Sequence, residues 1–300
     1  MKGNSMAVFN SNDIYPVSAD SELPFEQHRD IFHLTGIDQE ETILLLYPPS
    51  KDDKTREILF IRKSDNHTKV WEGEKLSKKQ ANELSGINSI YFIDDFKDIL
   101  SSIATKVDTF YINKNEHYRA NSPVETREDR FISWLLKKYP AHNVAKSNPI
   151  LQRQRSIKHP DEIDQIKKAC DITRKGFNRV LEFIKPNVWE YEIEAEFIHE
   201  FINSSSKGFA YSPIIASGND NNVLHYIKNN KQCKSGELIL MDVGAEYGNY
   251  SSDMTRTVPV SGKFSKRQKE IYNAVLRVKN EATKLLTVGN NWKLFHDQVG

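Results

Sequence analysis

Two aspartates interrupt strand-forming runs on either side of a short polar turn, and this pattern constrains the chain more than any other. Glu237–Val243 (ELILMDV) and Ser251–Val258 (SSDMTRTV) both read as strands, with AEYGNY between them. A two-residue turn at Tyr247–Gly248 would set Glu246 opposite Asn249 and Asp242 opposite Asp253. Facing Cβ atoms on paired strands lie about 4.5–5.5 Å apart, so like charges there repel. Asp also disfavours strands. Such a pair is tolerated when it shares a proton or holds a cation, and carboxylate oxygens suit hard divalent ions such as Mn2+, Mg2+ or Ca2+. The other reading is a different register, with the two aspartates facing solvent on opposite sides. Spacing alone leaves both open. His225, in VLHY, precedes the first aspartate strand. A His on an apolar strand is more often structural. Beside two carboxylates it would favour Mn2+, Fe2+, Co2+ or Zn2+ over Ca2+.

The rest of the composition narrows the setting. A chain of 300 residues has room for about two domains. Its 15 Phe, 12 Tyr and 4 Trp supply bulk for real cores despite a mean hydropathy of −0.62. Lys and Arg number 42 against 41 Asp and Glu, and the signs are interspersed, so no field draws the chain to nucleic acid or anionic lipid. The longest apolar run, Ile43 to Tyr47, is far short of the ~20 residues of a spanning helix. MKGNSMAVFNSND has no apolar signal region. Cys170 and Cys233 cannot form a disulfide framework or a four-thiolate zinc site. The expectation is a reducing, cytoplasmic location with no membrane or nucleic-acid partner.

Along the first half, Thr42–Tyr47, Glu57–Arg62, Ser89–Ile93 and Thr109–Ile112 read as strands, and Glu128–Lys138 as a helix. That mixture predicts an α/β domain over residues 1–155. Pro149–His159 is basic and without period, so it reads as a linker. A second domain over 156–300 then opens with a helix from Pro160, where a missing N–H costs nothing. Ile163, Ile166, Ala169, Cys170, Phe177, Val180, Leu181 and Ile184 mark its apolar face, and Pro186 stops it. A further helix over Glu190–Ile202 turns Ile193, Phe197, Ile198 and Phe201 inward. Trp292, Phe295 and Val299 recur at helical spacing up to Gly300. No internal repeat is visible. His28, His33, His67, His117, His142, His159, His199 and His296 suggest no partners.

Several segments together resemble the pita-bread metallopeptidases, most closely the aminopeptidase P group, with prolidase a near relative. They are VLHY, GELILMDVGAEY, YSSDMTRTVPVSGKFS and QKEIY. Upstream, PIIASG (213–218) and HPDEIDQIKKACDIT (159–173) are similar to the start of that catalytic domain. HRDIFHLTGID (28–38) resembles a segment of the aminopeptidase P N-terminal domain. The resemblance covers about residues 20–300, and its His–Asp–Asp part is the most specific.

The resemblance implies an α/β N-terminal domain followed by an α+β pita-bread catalytic domain. It implies a dinuclear site holding two divalent ions, Mn2+ first, with Co2+, Fe2+ or Zn2+ as alternatives. Asp242 and Asp253 match the first two metal ligands, Asp253 bridging both ions. His225 matches a histidine that helps hold the substrate and stabilise the transition state. Thr255, on the same strand face as Asp253, could support them. The implied activity is release of the N-terminal residue from peptides with Pro second, by a homodimer or higher homo-oligomer. A prolidase acting on Xaa-Pro dipeptides and a catalytically inactive peptide-binding module are the alternatives. The family also uses a His and two Glu from the second half of its fold, and no matching motif occurs before Gly300. The expectation is therefore a catalytic domain that stops before it is complete, with two ligands of five, inactive alone.

Overall fold

The computed structural model describes residues 1–114 and 123–300, so His117 lies outside the described residues. The chain divides into two compact units, Met1–Lys158 and His159–Gly300.

The first unit is built on strands β1 (Ser5–Asn10), β2 (Ile43–Leu46), β3 (Glu57–Ile61), β4 (Ser89–Phe92), β5 (Thr109–Ile112) and β6 (Asn143–Lys146). They form one sheet in the order β4-β3-β2-β1-β5-β6. β1, β2 and β3 run antiparallel to their neighbours among themselves, whereas β1, β5 and β6 are mutually parallel, as are β3 and β4. Helices α1 (Arg29–Thr35), α2 (Asp53–Arg56), α3 (Asn66–Trp71), α4 (Lys78–Ser85), α5 (Phe96–Ala104), α6 (Arg127–Lys138) and α7 (Asn148–Ser156) complete it. Side chains alternate along a strand, so β1 divides its residues between two cores. Met6 and Val8 join Phe60, Leu100, Phe110, Phe131 and Leu135 on one face. Ala7 and Phe9 join Ile31, Leu44, Leu59, Ala81 and Leu151 on the other. Helices covering both faces of a mixed sheet make this an α/β unit.

Two differences from the sequence reading have physical causes. All six residues of β1 are buried, yet its apolar stretch is only MAVF between polar ends, too short to stand out. The basic segment read as a linker is helix α7. Its Leu151 enters the core and its Arg155 donates to the buried Asp30 at 2.6 Å. Three histidines also acquire structural roles. His28 and His159 cap helices through Nδ1, and the His142 ring stacks on Phe110 at 4.5 Å.

The second unit opens with α8 (Pro160–Phe183) and α9 (Glu190–Asn203). Strands β7 (Gly208–Phe209), β8 (Ile214–Ser217), β9 (Leu238–Val243), β10 (Ala245–Tyr247), β11 (Tyr250–Ser251) and β12 (Met254–Pro259) follow, and helices α10 (Lys266–Leu285) and α11 (Trp292–Val299) close it. Two antiparallel sheets result, β12-β9-β8 and β11-β10-β7. Phe177, Val180, Ile193, Phe197 and Phe201 of the first two helices pack on Ile215, Ile239, Met241 and Val243. The buried stripe of α8 runs through Ala169, Ile172, Thr173, Gly176, Phe177 and Val180. The expected members Ile163, Cys170 and Leu181 are exposed instead.

An internal similarity that the sequence hides is visible in the backbone. Ile184 caps the end of α8, the chain turns through a left-handed Asn187, and Trp189 is the N-cap of α9. Leu286 caps the end of α10, the chain turns through a left-handed Gly289, and Asn291 is the N-cap of α11, all at the same spacing. The side chains differ, so only the geometry repeats. No residue of α10 or α11 is buried. No helix among the described residues is long and apolar enough to cross a membrane.

Candidate metal centre

The expected pairing of Asp242 with Asp253 is corrected by the ladder. Asp242 is opposite Thr255, Met254 opposite Val243, and Tyr247 opposite Tyr250. The turn is therefore Gly248–Asn249 rather than Tyr247–Gly248. Right-handed strand twist selects a turn with positive φ at both central residues. Gly248 and Asn249 adopt φ 56° and 66°, which Tyr247 would resist. Moving the turn by one residue shifts the pairing without changing the face. Asp253 falls diagonal to Asp242 on the same side, where spacing is about 7–8 Å instead of 4.5–5.5 Å.

Between the two ladder segments the backbones press together. A Cβ on Gly244 would sit 1.9 Å from the Ser252 carbonyl oxygen, so glycine is required there. The Ala245 N–H meets the hydroxyls of Thr173 and Ser252 at 2.9 and 3.0 Å, which ties this break to α8. Ala210 N–H donates to the Gly244 carbonyl at 2.8 Å and holds the next residue, Tyr211, against the hairpin.

Tyr211 is the site residue that the sequence reading missed. Its hydroxyl lies 2.6 Å from Asp242 Oδ1 and 3.2 Å from Asp253 Oδ1, in geometry to donate to either. Burial, reinforced by the two carboxylates, pushes this phenol well above its ordinary pKa, so it stays protonated. No spacing rule points to it, because a tyrosine 31 residues from its partner leaves no periodic mark.

The charge around the pair is incompletely balanced. Among the described residues no Lys, Arg or His forms an ion pair with Asp242 or Asp253, and one hydroxyl proton serves both. Two adjacent oxygen donors with an unmet need for positive charge fit a hard divalent ion. They do not fill its coordination shell. Among the described residues no group of three or more His, Cys, Asp or Glu is placed to hold a metal. Beside Asp242 on this face, Ile214, Ala216 and Tyr226 form an apolar patch with Leu240.

His225 is not on a strand. It sits exposed in a turn between a short 3-10 segment (Gly218–Asn222) and Tyr226, with Leu224 beside it 88% exposed. The cause is the anchoring of this stretch by Glu190, the first residue of α9 and fully buried. Glu190 Oε1 accepts from the Ser217 N–H and hydroxyl at 2.8 and 2.7 Å. Its Oε2 accepts from Tyr226 Oη at 2.8 Å and the Lys231 N–H at 3.0 Å. A single carboxylate thus pins both flanks of the loop that carries His225.

Comparisons with known proteins agree with this architecture. The sequence model for the aminopeptidase P N-terminal domain matches residues 1–111, and that for metallopeptidase family M24 matches residues 164–300. The Xaa-Pro aminopeptidase of Haemophilus influenzae is 32% identical over 283 residues, which span 93% of this chain and 62% of that protein. The chain thus spans less than two thirds of this curated relative's length. A solved Bacillus anthracis structure assigned as an aminopeptidase P superposes with a TM-score of 0.93 at 30% identity, covering 100% of this chain and 71% of that one. Zinc-substituted Escherichia coli aminopeptidase P, solved with product, gives 0.87 at 29% identity, covering 100% and 68%. With N-terminal and catalytic-domain matches in the same order, the chain belongs to metallopeptidase family M24, in its aminopeptidase P branch.

Proposed function

We propose that this chain is the N-terminal domain and first catalytic part of a metal-dependent aminopeptidase. The enzyme releases the first residue from peptides with Pro second. The observation that supports the reading best is the convergence of Asp242 and Asp253 on the Tyr211 hydroxyl, with no cation among the described residues paired to either. Asp242 and Asp253 would hold two divalent ions, Mn2+ by preference, with the remaining ligands supplied by residues beyond those in this chain. Bound there, the ions supply Lewis-acid polarisation of the scissile carbonyl and activation of the attacking water. The chain's own residues do the rest. Tyr211 holds the carboxylates in place, and His225, on its exposed turn, donates to the substrate. The apolar patch of Ile214, Ala216 and Tyr226 excludes water beside Asp242. The protein acts in the cytoplasm, where Cys170 and Cys233 stay reduced, and as a homo-oligomer.

The test has two arms. Mn2+ binding by this chain, followed calorimetrically, should be weak and should vanish in Asp253→Asn. A polypeptide that adds the remaining ligands should release the first residue of an Xaa-Pro peptide, and His225→Ala should lower kcat with metal content unchanged. Full turnover in Asp253→Asn would remove the metal role of that residue. An unchanged rate in His225→Ala would return His225 to a structural part.

A further inference from the structure

Asp253 is held by little of its own. It is exposed and lies between β11 and β12, outside both ladders. Among the described residues its carboxylate has one hydrogen-bond partner, the Tyr211 hydroxyl. Its aim therefore depends on its two chain neighbours. Met254, on one side, is fixed in the β9–β12 ladder opposite Val243. Ser252, on the other, belongs to no strand, yet it is only 4% exposed.

What holds Ser252 is a buried hydroxyl pair that joins the hairpin to α8. Thr173, midway along α8, is fully buried, and its Oγ1 lies 2.6 Å from Ser252 Oγ. The Ser252 N–H and hydroxyl both reach the Ala245 carbonyl at 3.0 Å. With the serine proton placed there, the threonine hydroxyl donates to Ser252 Oγ. The Ala245 N–H closes the ring by donating to the Thr173 and Ser252 oxygens at 2.9 and 3.0 Å. Of the three residues in this ring, only Thr173 comes from outside the hairpin. A buried polar network with every member satisfied holds what it joins in one geometry.

α8 gives the contact a firm base. One turn beyond Thr173, a Cβ on Gly176 would lie 2.7 Å from the Phe201 ring and 2.9 Å from the Phe197 ring, so α8 is seated closely on α9. Nearer the hairpin turn, the Tyr250 hydroxyl donates to Glu162 of α8 at 2.9 Å.

We propose that Thr173 is a positioning residue for the metal centre: through Ser252, its hydroxyl fixes the backbone from which Asp253 reaches the ion and Tyr211. This rests on the reading of Asp253 as a metal ligand and adds to it a residue of α8. A threonine with a structural part alone would cost stability when changed and leave the affinity of the folded chain as it was.

Calorimetric Mn2+ titration, at a temperature where every protein is folded, tests this. Thr173→Val removes the hydroxyl and nearly keeps the volume. It should weaken Mn2+ binding by about tenfold, the lower end for residues that support metal ligands. Thr173→Ser keeps the hydroxyl and should bind nearly as the unaltered chain does. Ser252→Ala removes the other hydroxyl, should weaken binding similarly, and serves if Thr173→Val does not fold. A second comparison, made in chelator, needs no metal. Tyr211→Phe should cost less stability in the Thr173→Val or Ser252→Ala background than in the unaltered chain, because Asp253 is no longer held against the Tyr211 hydroxyl. Unlinked sites would give additive losses.

Where Asp253→Asn abolishes Mn2+ binding, a folded Thr173→Val, or in its absence Ser252→Ala, that binds as tightly as the unaltered chain overturns the proposal. Where Asp253→Asn leaves binding unchanged, the metal reading fails instead, and the chelator comparison alone decides whether Thr173 positions Asp253. Equal Tyr211→Phe losses in both backgrounds overturn the proposal in either case.

Discussion

Asp242 faces Thr255 across the β9–β12 ladder, and that places Asp253 one pair further along on the same side. Direct opposition would have brought the two carboxylates to the closest approach a hairpin allows. The diagonal leaves room for a third group between them, and the Tyr211 hydroxyl occupies it. The same opening suits a cation better than a shared proton.

Repulsion between the two carboxylates should be measurable. Asp253→Asn removes one charge and keeps an oxygen that can accept from Tyr211. In chelator this variant should be more stable than the unaltered chain by about 0.2–1 kcal/mol. Urea denaturation with and without Mn2+ checks it. The unaltered chain should gain from the ion and the variant should not. A variant less stable in chelator would show that the pair carries no strain.

Tyr211→Phe keeps the ring and deletes the hydroxyl shared by the carboxylates. It should cost about 1–3 kcal/mol in chelator, because partly buried acceptors lose their donor. Mn2+ should recover more stability in Tyr211→Phe than it adds to the unaltered chain. Equal stability in chelator would mean that the hydroxyl compensates nothing.

Gly244→Ala tests the contact that sets the hairpin. The added methyl would meet the Ser252 carbonyl carbon and oxygen and the Tyr211 ring, and neither backbone strand can retreat without breaking the Thr173 hydrogen bonds. A loss on the order of 3 kcal/mol is expected, together with weaker Mn2+ binding as Asp253 is displaced. A thermal melt and an Mn2+ titration of one preparation decide it. An unshifted melt would refute the close approach.

Glu190→Ala strands four donors, at Ser217, Tyr226 and Lys231. The expected loss is about 3–5 kcal/mol, with faster hydrogen exchange at the Ser217 and Lys231 amides. Glu190→Gln, which keeps both oxygen and shape at one position, should lose less. Unchanged exchange at both amides would mean that the loop carrying His225 is held by something else.

The two thiols should separate cleanly. Cys170 is exposed and should react with a thiol reagent in the folded chain, while Cys233 is fully buried and should react only on unfolding. Burial, followed by the charge of Glu190, pushes the Cys233 thiol up to about 11 from 9.0. The folded state therefore holds its proton more tightly than the unfolded one. Stability is unaffected below pH 9 and falls as pH rises from 9 towards 11. Cys233→Ala should flatten that decline in a pH series of urea melts. An equal decline in both proteins would assign it to other groups.

The sequence alone determined the elements whose signal is local. The α8 start at Pro160, the strand at Leu238–Val243, and a second strand after a short turn, with an aspartate in or beside each strand, follow from propensity and periodicity over a few residues. What tertiary structure decided has no such local mark. The register depends on whether Tyr247 or Asn249 joins Gly248 in the turn, a choice settled by strand twist and by the close contact of Gly244 with Ser252. Tyr211 reaches the aspartates only because β7 pairs with β10. The stretch around His225 forms an exposed turn, and the buried Glu190, far away in sequence, holds its flanks through Ser217, Tyr226 and Lys231. Even β1, the centre of the first sheet, was hidden, because burial on both faces needs only four apolar residues once the flanking strands exist.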